Sequence, residues 1–101
     1  MPKKLNIEYL PIAESDLNEI FDYIFIDSPQ SALKMLDLFD ERISILAEFP
    51  FSGKEIGDKF LKKLGYHFLV IENYLVFYVI KEKSVEIRRI LHGSRDFLFL
   101  L

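Results

Sequence analysis

Cysteine and tryptophan are absent from this chain of 101 residues, and histidine occurs only twice. Without cysteine neither a disulfide nor a thiolate metal centre can form. His67 and His92 lie too far apart in sequence to give the close ligand spacing that zinc sites use. No metal and no other cofactor is therefore expected. No apolar stretch reaches the length of a membrane span, because charges recur every few residues, so no membrane role is expected. An excess of positive charge is missing as well: the net charge is −3. Proteins that grip nucleic acid unaided are usually basic, and the balance here argues against autonomous nucleic-acid binding. Met1-Pro2-Lys3-Lys4-Leu5 starts basic but no apolar run follows, so it does not read as a secretory signal, and the cytoplasm is the expected compartment.

What is plentiful is apolar surface. Half of the residues are hydrophobic, with ten Phe and five Tyr. A chain of this length makes one domain, residues 1–101, and buries roughly two thirds of the surface its unfolded form exposes. Apolar side chains beyond that capacity usually belong to an interface.

The polar and apolar residues alternate over Leu5–Leu10, as in a half-buried strand. Pro11 ends that strand and suits the first turn of a helix, where its missing N–H costs nothing. Ala13, Leu17, Ile20 and Ile24 then follow at helical steps, widened by Phe21 and Phe25. Glu14, Asp16, Asn18, Glu19 and Asp22 are expected on the outer side. Asp27-Ser28-Pro29 interrupts, with Ser28 as N-cap and Pro29 as first residue of a second helix. That helix carries Ala32, Leu36, Phe39, Ile43 and Leu46 on one stripe and stops at Phe49-Pro50. So short a break folds the two helices back on each other.

Phe51–Lys63, with two glycines and several lysines, reads as a loop. Three apolar runs follow: Tyr66–Ile71, Tyr74–Ile80 and Val85–His92. Short polar breaks between them predict an antiparallel meander. The middle run is apolar on both faces and predicts a central strand covered on both sides. The expected class is α+β, in the order β-α-α-β-β-β: a mainly antiparallel four-stranded sheet against a two-helix hairpin. The hairpin covers one face. The other is covered either by a partner or by the tail Phe97–Leu101.

Three strings carry a resemblance. The first helix holds Pro11-x-Ala13-Glu14-x-Asp16-Leu17-x-Glu19-Ile20 and then Tyr23-Ile24. The helix hairpin closes with Leu46-x-x-Phe49-Pro50-x-x-Gly53. The last strand runs Arg89-Ile90-Leu91-His92-Gly93-Ser94-Arg95-Asp96. In this order, over nearly the whole chain, they resemble the RelE/ParE superfamily of plasmid-stabilisation toxins from type II toxin–antitoxin systems. The resemblance implies a cognate antitoxin as partner, and growth inhibition through one of two targets. ParE-like members poison DNA gyrase; RelE-like members cut mRNA on the ribosome. Fold alone does not choose between them.

The candidate residues follow from that choice. For the endoribonuclease alternative, His92 is the general acid or base, since its pKa lies near working pH, and Arg95 stabilises the phosphoryl charge. The structural alternative has His92 holding the Gly93–Asp96 turn and Arg95 paired with Asp96. Lys59, Lys62, Lys63 and Arg88 are candidates for nucleic-acid or target binding. Strand alternation places Arg88 and His92 on one face, and Arg89 with Leu91 on the other. Arg89 is expected to be partly buried against a helix carboxylate. Tyr66, Tyr74 and Tyr78 fit core or interface positions better than base stacking. RNA cleavage needs a base, an acid and cations, and His92 with Arg95 fills two roles at most. The acidic balance and the intact helix motif favour the ParE-like branch. A third possibility is an inactive relative that only binds an antitoxin.

Overall fold

The computed structural model describes residues 4–94, 97, 100 and 101. The chain runs β1 (Asn6–Tyr9), α1 (Pro11–Asp27), α2 (Pro29–Ser44), β2 (Lys54–Glu55), α3 (Lys59–Lys63), β3 (Tyr66–Ile71), β4 (Tyr74–Ile80) and β5 (Ser84–His92), with 3-10 turns at Ile45–Ala47 and Pro50–Ser52. Local chemistry sets the helix ends. Pro11 and Pro29 open α1 and α2. Ser28 Oγ accepts the Ser31 N–H at 3.2 Å, and Asp58 Oδ1 accepts the Leu61 N–H at 2.9 Å to start α3. Each satisfies a donor that the helix itself leaves unpaired.

The strands form one sheet in the order β1-β5-β4-β3-β2. β3, β4 and β5 make the expected meander. β1 lies parallel to β5, from Asn6 opposite Ser84 to Tyr9 opposite Ile87. Parallel neighbours cannot be joined by a tight turn, and the helix hairpin occupies the excursion across one face. The α+β class and the helix hairpin match the expectation; a fifth strand is added. β2 is two residues long, opposite His67 and Phe68, too short to leave a period in the sequence.

Both faces of β4 are covered. Val76 and Tyr78 join Ala13, Phe39, Ile43 and Leu46 on the helix side. Phe77 and Val79 join Ile56, Leu61, Tyr66 and Leu91 on the other, with Phe97, Leu100 and Leu101 packed against them. Ile56 and Leu61 come from the segment read as a loop. That reading is corrected: α3 and its approach cover the second face together with tail residues. The signal was two isolated apolar residues among lysines and glycines, which no periodicity test detects.

A β-bulge reverses the alternation of β5. Tyr78 pairs with Ile87 and Phe77 with Arg89, so Arg88 is the extra residue. Two residues on one strand then oppose one on its partner. As a result Arg88 and His92 lie on opposite faces, contrary to the strict-alternation expectation. The Arg88 guanidinium sits 5.8 Å from the centre of the Tyr66 ring on the second face. The His92 ring packs edge-on against Tyr74, 5.6 Å away, on the helix side.

The Phe49-Pro50-x-x-Gly53 string has a packing role. The buried Tyr78 hydroxyl donates to the Pro50 carbonyl at 2.8 Å and accepts from the Gly53 N–H at 3.2 Å. A Cβ on residue 53 would collide with that hydroxyl and come within 2.8 Å of the Phe68 carbonyl. Only glycine lets the backbone approach so closely. Burial pushes the Tyr78 phenol above its ordinary pKa, against the Gly53 hydrogen bond that lowers it.

Candidate functional site

β1 ends at Tyr9, so β5 beyond Ile87 has lost its neighbour; the last bond of that ladder runs from Leu10 N–H to the Ile87 carbonyl at 3.0 Å. Asp16 of α1 takes over. Its Oδ2 accepts the Ile90 N–H at 3.0 Å and the Arg89 Nε–H at 2.8 Å, while Oδ1 accepts from Arg89 Nη2 at 2.8 Å. Arg89 Nη1 also donates to the Leu100 carbonyl at 3.0 Å. One bidentate ion pair therefore binds the first helix, the last strand and the tail. Asp16 hydrogen-bonded to it raises the Arg89 pKa further, with smaller help from the charges of Asp16 and Glu19 and opposition from burial. Arg89 pairs with a helix carboxylate as expected. Asp16 does not face outward as expected: it is only 8% exposed. The helical step from Ala13 through Asp16 to Ile20 already placed it on the inner stripe.

A concavity lies just beyond this pair, at the sheet end where α1, the β3–β4 turn and the end of β5 meet. It is a cleft of ≈570 Å³, bordered by Glu19, Ile20 and Tyr23 on α1, by Asn73 and Tyr74 at the turn, and by His92. Smaller clefts adjoin it, sharing Asn73 with Tyr74 or His92. The turn is held in place from β5: Gly93 N–H donates to the Asn73 carbonyl at 2.8 Å. Glu72, first residue of this two-residue turn, has φ +53°, a left-handed conformation that glutamate seldom adopts.

The sequence candidates divide between the two ends of the sheet. His92 is exposed at the cleft mouth, and its Nδ1 accepts the Ser94 N–H at 3.2 Å and lies 2.7 Å from Ser94 Oγ. The imidazole thus braces the turn after β5 through Ser94. Arg95 and Asp96 lie outside the described residues. Lys59, Lys62 and Lys63 are on the exposed side of α3, and Lys62 Nζ lies 3.3 Å from Glu55, a residue opposite His67 near the start of β3. His92 pairs instead with Tyr74, beside the far end of β3. At the usual strand rise, Tyr74 to Val79 spans roughly 16 Å. The lysines and the histidine are therefore not brought together. Arg88 is held by Glu86 at 2.9 Å and by the Tyr66 ring. Among the described residues no group of three or more His, Asp or Glu is placed to hold a metal ion, and no helix is long and apolar enough to cross a membrane. Glu19, Tyr23, Asn73 and Tyr74 were not singled out together by sequence, because no spacing links a helix face to a distant hairpin turn.

A five-stranded sheet under a helix hairpin, with a cleft at one sheet end, defines a small α+β protein. The family described as the ParE toxin of type II toxin-antitoxin system, parDE, matches residues 7–97. The chain belongs to the ParE toxin family. Its fold is similar to a chain in the solved structure of the chromosomal ParDE TA system from P. aeruginosa, with a TM-score of 0.75 and 21% identity, covering 90% of this chain and 98% of that one. No curated protein matches it in sequence.

Proposed function

We propose that residues 1–101 act as one cytoplasmic toxin domain that arrests growth by binding and poisoning DNA gyrase, and that a cognate antitoxin neutralises it. Membership of the ParE family over residues 7–97 is the observation that carries this reading. The separation of His92 from the α3 lysines supports it, because general acid–base cleavage of RNA needs its groups within hydrogen-bond reach of one phosphate. Binding a large protein target needs no such convergence. The test is purified gyrase acting on supercoiled plasmid. Addition of the chain is expected to accumulate linear DNA, and addition of antitoxin to prevent it. If DNA stays intact while methionine incorporation stops within minutes of induction, the RelE-like reading replaces this one, and His92→Ala becomes its first test. If induction is harmless, the chain is an antitoxin-binding relative.

A further inference from the structure

The outer side of the helix hairpin combines two properties that a surface exposed to water does not need together. Tyr23 and Ile26, one turn apart on α1, are 79% and 85% exposed. Beside them α1 carries Glu19, Asp22 and Asp27, and the helix has no lysine or arginine. Tyr23 and Glu19 also border the cleft at the sheet end, facing Tyr74 and His92 across it. The exposed stripe and the cleft are thus continuous. Asp16, deeper in the same wall, is already occupied by Arg89 and the Ile90 N–H, which leaves Glu19 as the carboxylate available at the rim.

We infer that this cleft takes a lysine or arginine side chain of the antitoxin, held by the Glu19 carboxylate and by the faces of Tyr23 and Tyr74, with apolar neighbours in the antitoxin covering Ile26. The inference rests on the reading of the chain as a toxin with a cognate antitoxin. Charge complementarity selects the occupant. A cation over aromatic faces beside a carboxylate gains attraction from both, and gains more as water is excluded. An acidic segment would meet Glu19, Asp22 and Asp27 at close range. Arginine suits such a site better than lysine, because its planar guanidinium stacks and hydrogen-bonds at once. The exposed face of α3, with Lys59, Phe60 and Lys63, has the opposite charge character and is the competing dock.

The test is the dissociation constant of the complex between this chain and the antitoxin encoded beside it, measured at low and high salt. Glu19→Gln and Tyr23→Ala are each expected to weaken binding by roughly tenfold or more, as losses at buried anchors do. Both side chains are exposed, and an unchanged melting curve shows that the fold is intact. Glu19→Lys should weaken binding further, and one Lys or Arg→Glu change in the antitoxin should restore it. Wild-type binding that neither Glu19→Gln nor Tyr23→Ala affects overturns the inference and leaves the toxin reading standing. Losses confined to Lys59→Glu and Phe60→Ser also overturn it, placing the antitoxin on α3. Self-association of the free chain that Tyr23→Ala abolishes, with antitoxin affinity unchanged, assigns the stripe to a second copy instead. Wild-type chain that does not bind the antitoxin ends both readings.

Discussion

The two faces of the sheet are closed by different means. On one side two long helices bury Phe39, Ile43 and Leu46 against β4 and β5. On the other a five-residue helix, its approach and tail residues bury a smaller set around Phe77. The first cover is held by extensive side-chain packing. The second depends on a few apolar contacts plus the hydrogen bond from Arg89 to the Leu100 carbonyl. Stability is therefore concentrated on the helix side, and the thin side is where opening costs least.

Substitutions on the two faces test that contrast. Phe39→Ala is expected to cost about 4 kcal/mol, the size usual for emptying a buried aromatic site. Leu61→Ala is expected to cost about 2 kcal/mol, because the single turn above it can collapse into the space. Urea unfolding of both variants measures the difference, and equal costs would remove the distinction between the faces. The adjacent arginines sharpen it further. Arg89→Ala strands Asp16 in a buried position and is expected to cost about 3 kcal/mol. Arg88→Ala loses a partly buried pair with Glu86 and a contact with the Tyr66 ring but strands no fully buried charge, and should cost about 1 kcal/mol. Hydrogen exchange should also show the tail loosening in the Arg89 variant only.

Smaller effects attach to single hydroxyls on the helix side. Tyr78→Phe leaves the Pro50 carbonyl and the Gly53 N–H without their partner and is expected to cost about 1–2 kcal/mol, read from the thermal midpoint. Tyr9 gives the weakest signal. Burial first, and then the charge of Asp40, push its pKa up to about 12 from the ordinary 10.0. Between those values the unfolded chain has released this proton and the folded chain still holds it. The stability linked to Tyr9 is thus complete below pH 10 and falls as pH rises towards 12. Alkaline titration at the phenolate absorbance should show late-titrating phenols, one of which Tyr9→Phe removes while Tyr78 remains.

The sequence was most legible where regular repeats ran long. The steps from Ala13 to Ile24 and from Ala32 to Leu46 located the hairpin, and Ser28-Pro29 located its turn. The continuous apolar run Tyr74–Ile80 identified the central strand because only a strand covered on both faces tolerates it. β2 and α3 were not legible, since elements of two and five residues are shorter than the periods that reveal them. The candidate site was legible only in pieces. His92 was visible by its chemistry, while its bracing by Ser94 and its edge contact with Tyr74 depend on a turn and a neighbouring strand.

Local pattern by itself determined the α+β class, the helix hairpin, the meander and the family motifs, because these depend on periodicity and capping within short windows. The tertiary structure alone decided the rest. A single extra residue at Arg88 put it on the face opposite His92, and no strand pattern announces a bulge. The end of β1 at Tyr9 left the Ile90 N–H without a strand partner, and only the fold brings that N–H and Arg89 to Asp16 on the inner stripe of α1. The joining of Glu19 and Tyr23 to Asn73 and Tyr74 in one cleft needed the helix to be laid across the sheet, a long-range packing event that sequence spacing does not record.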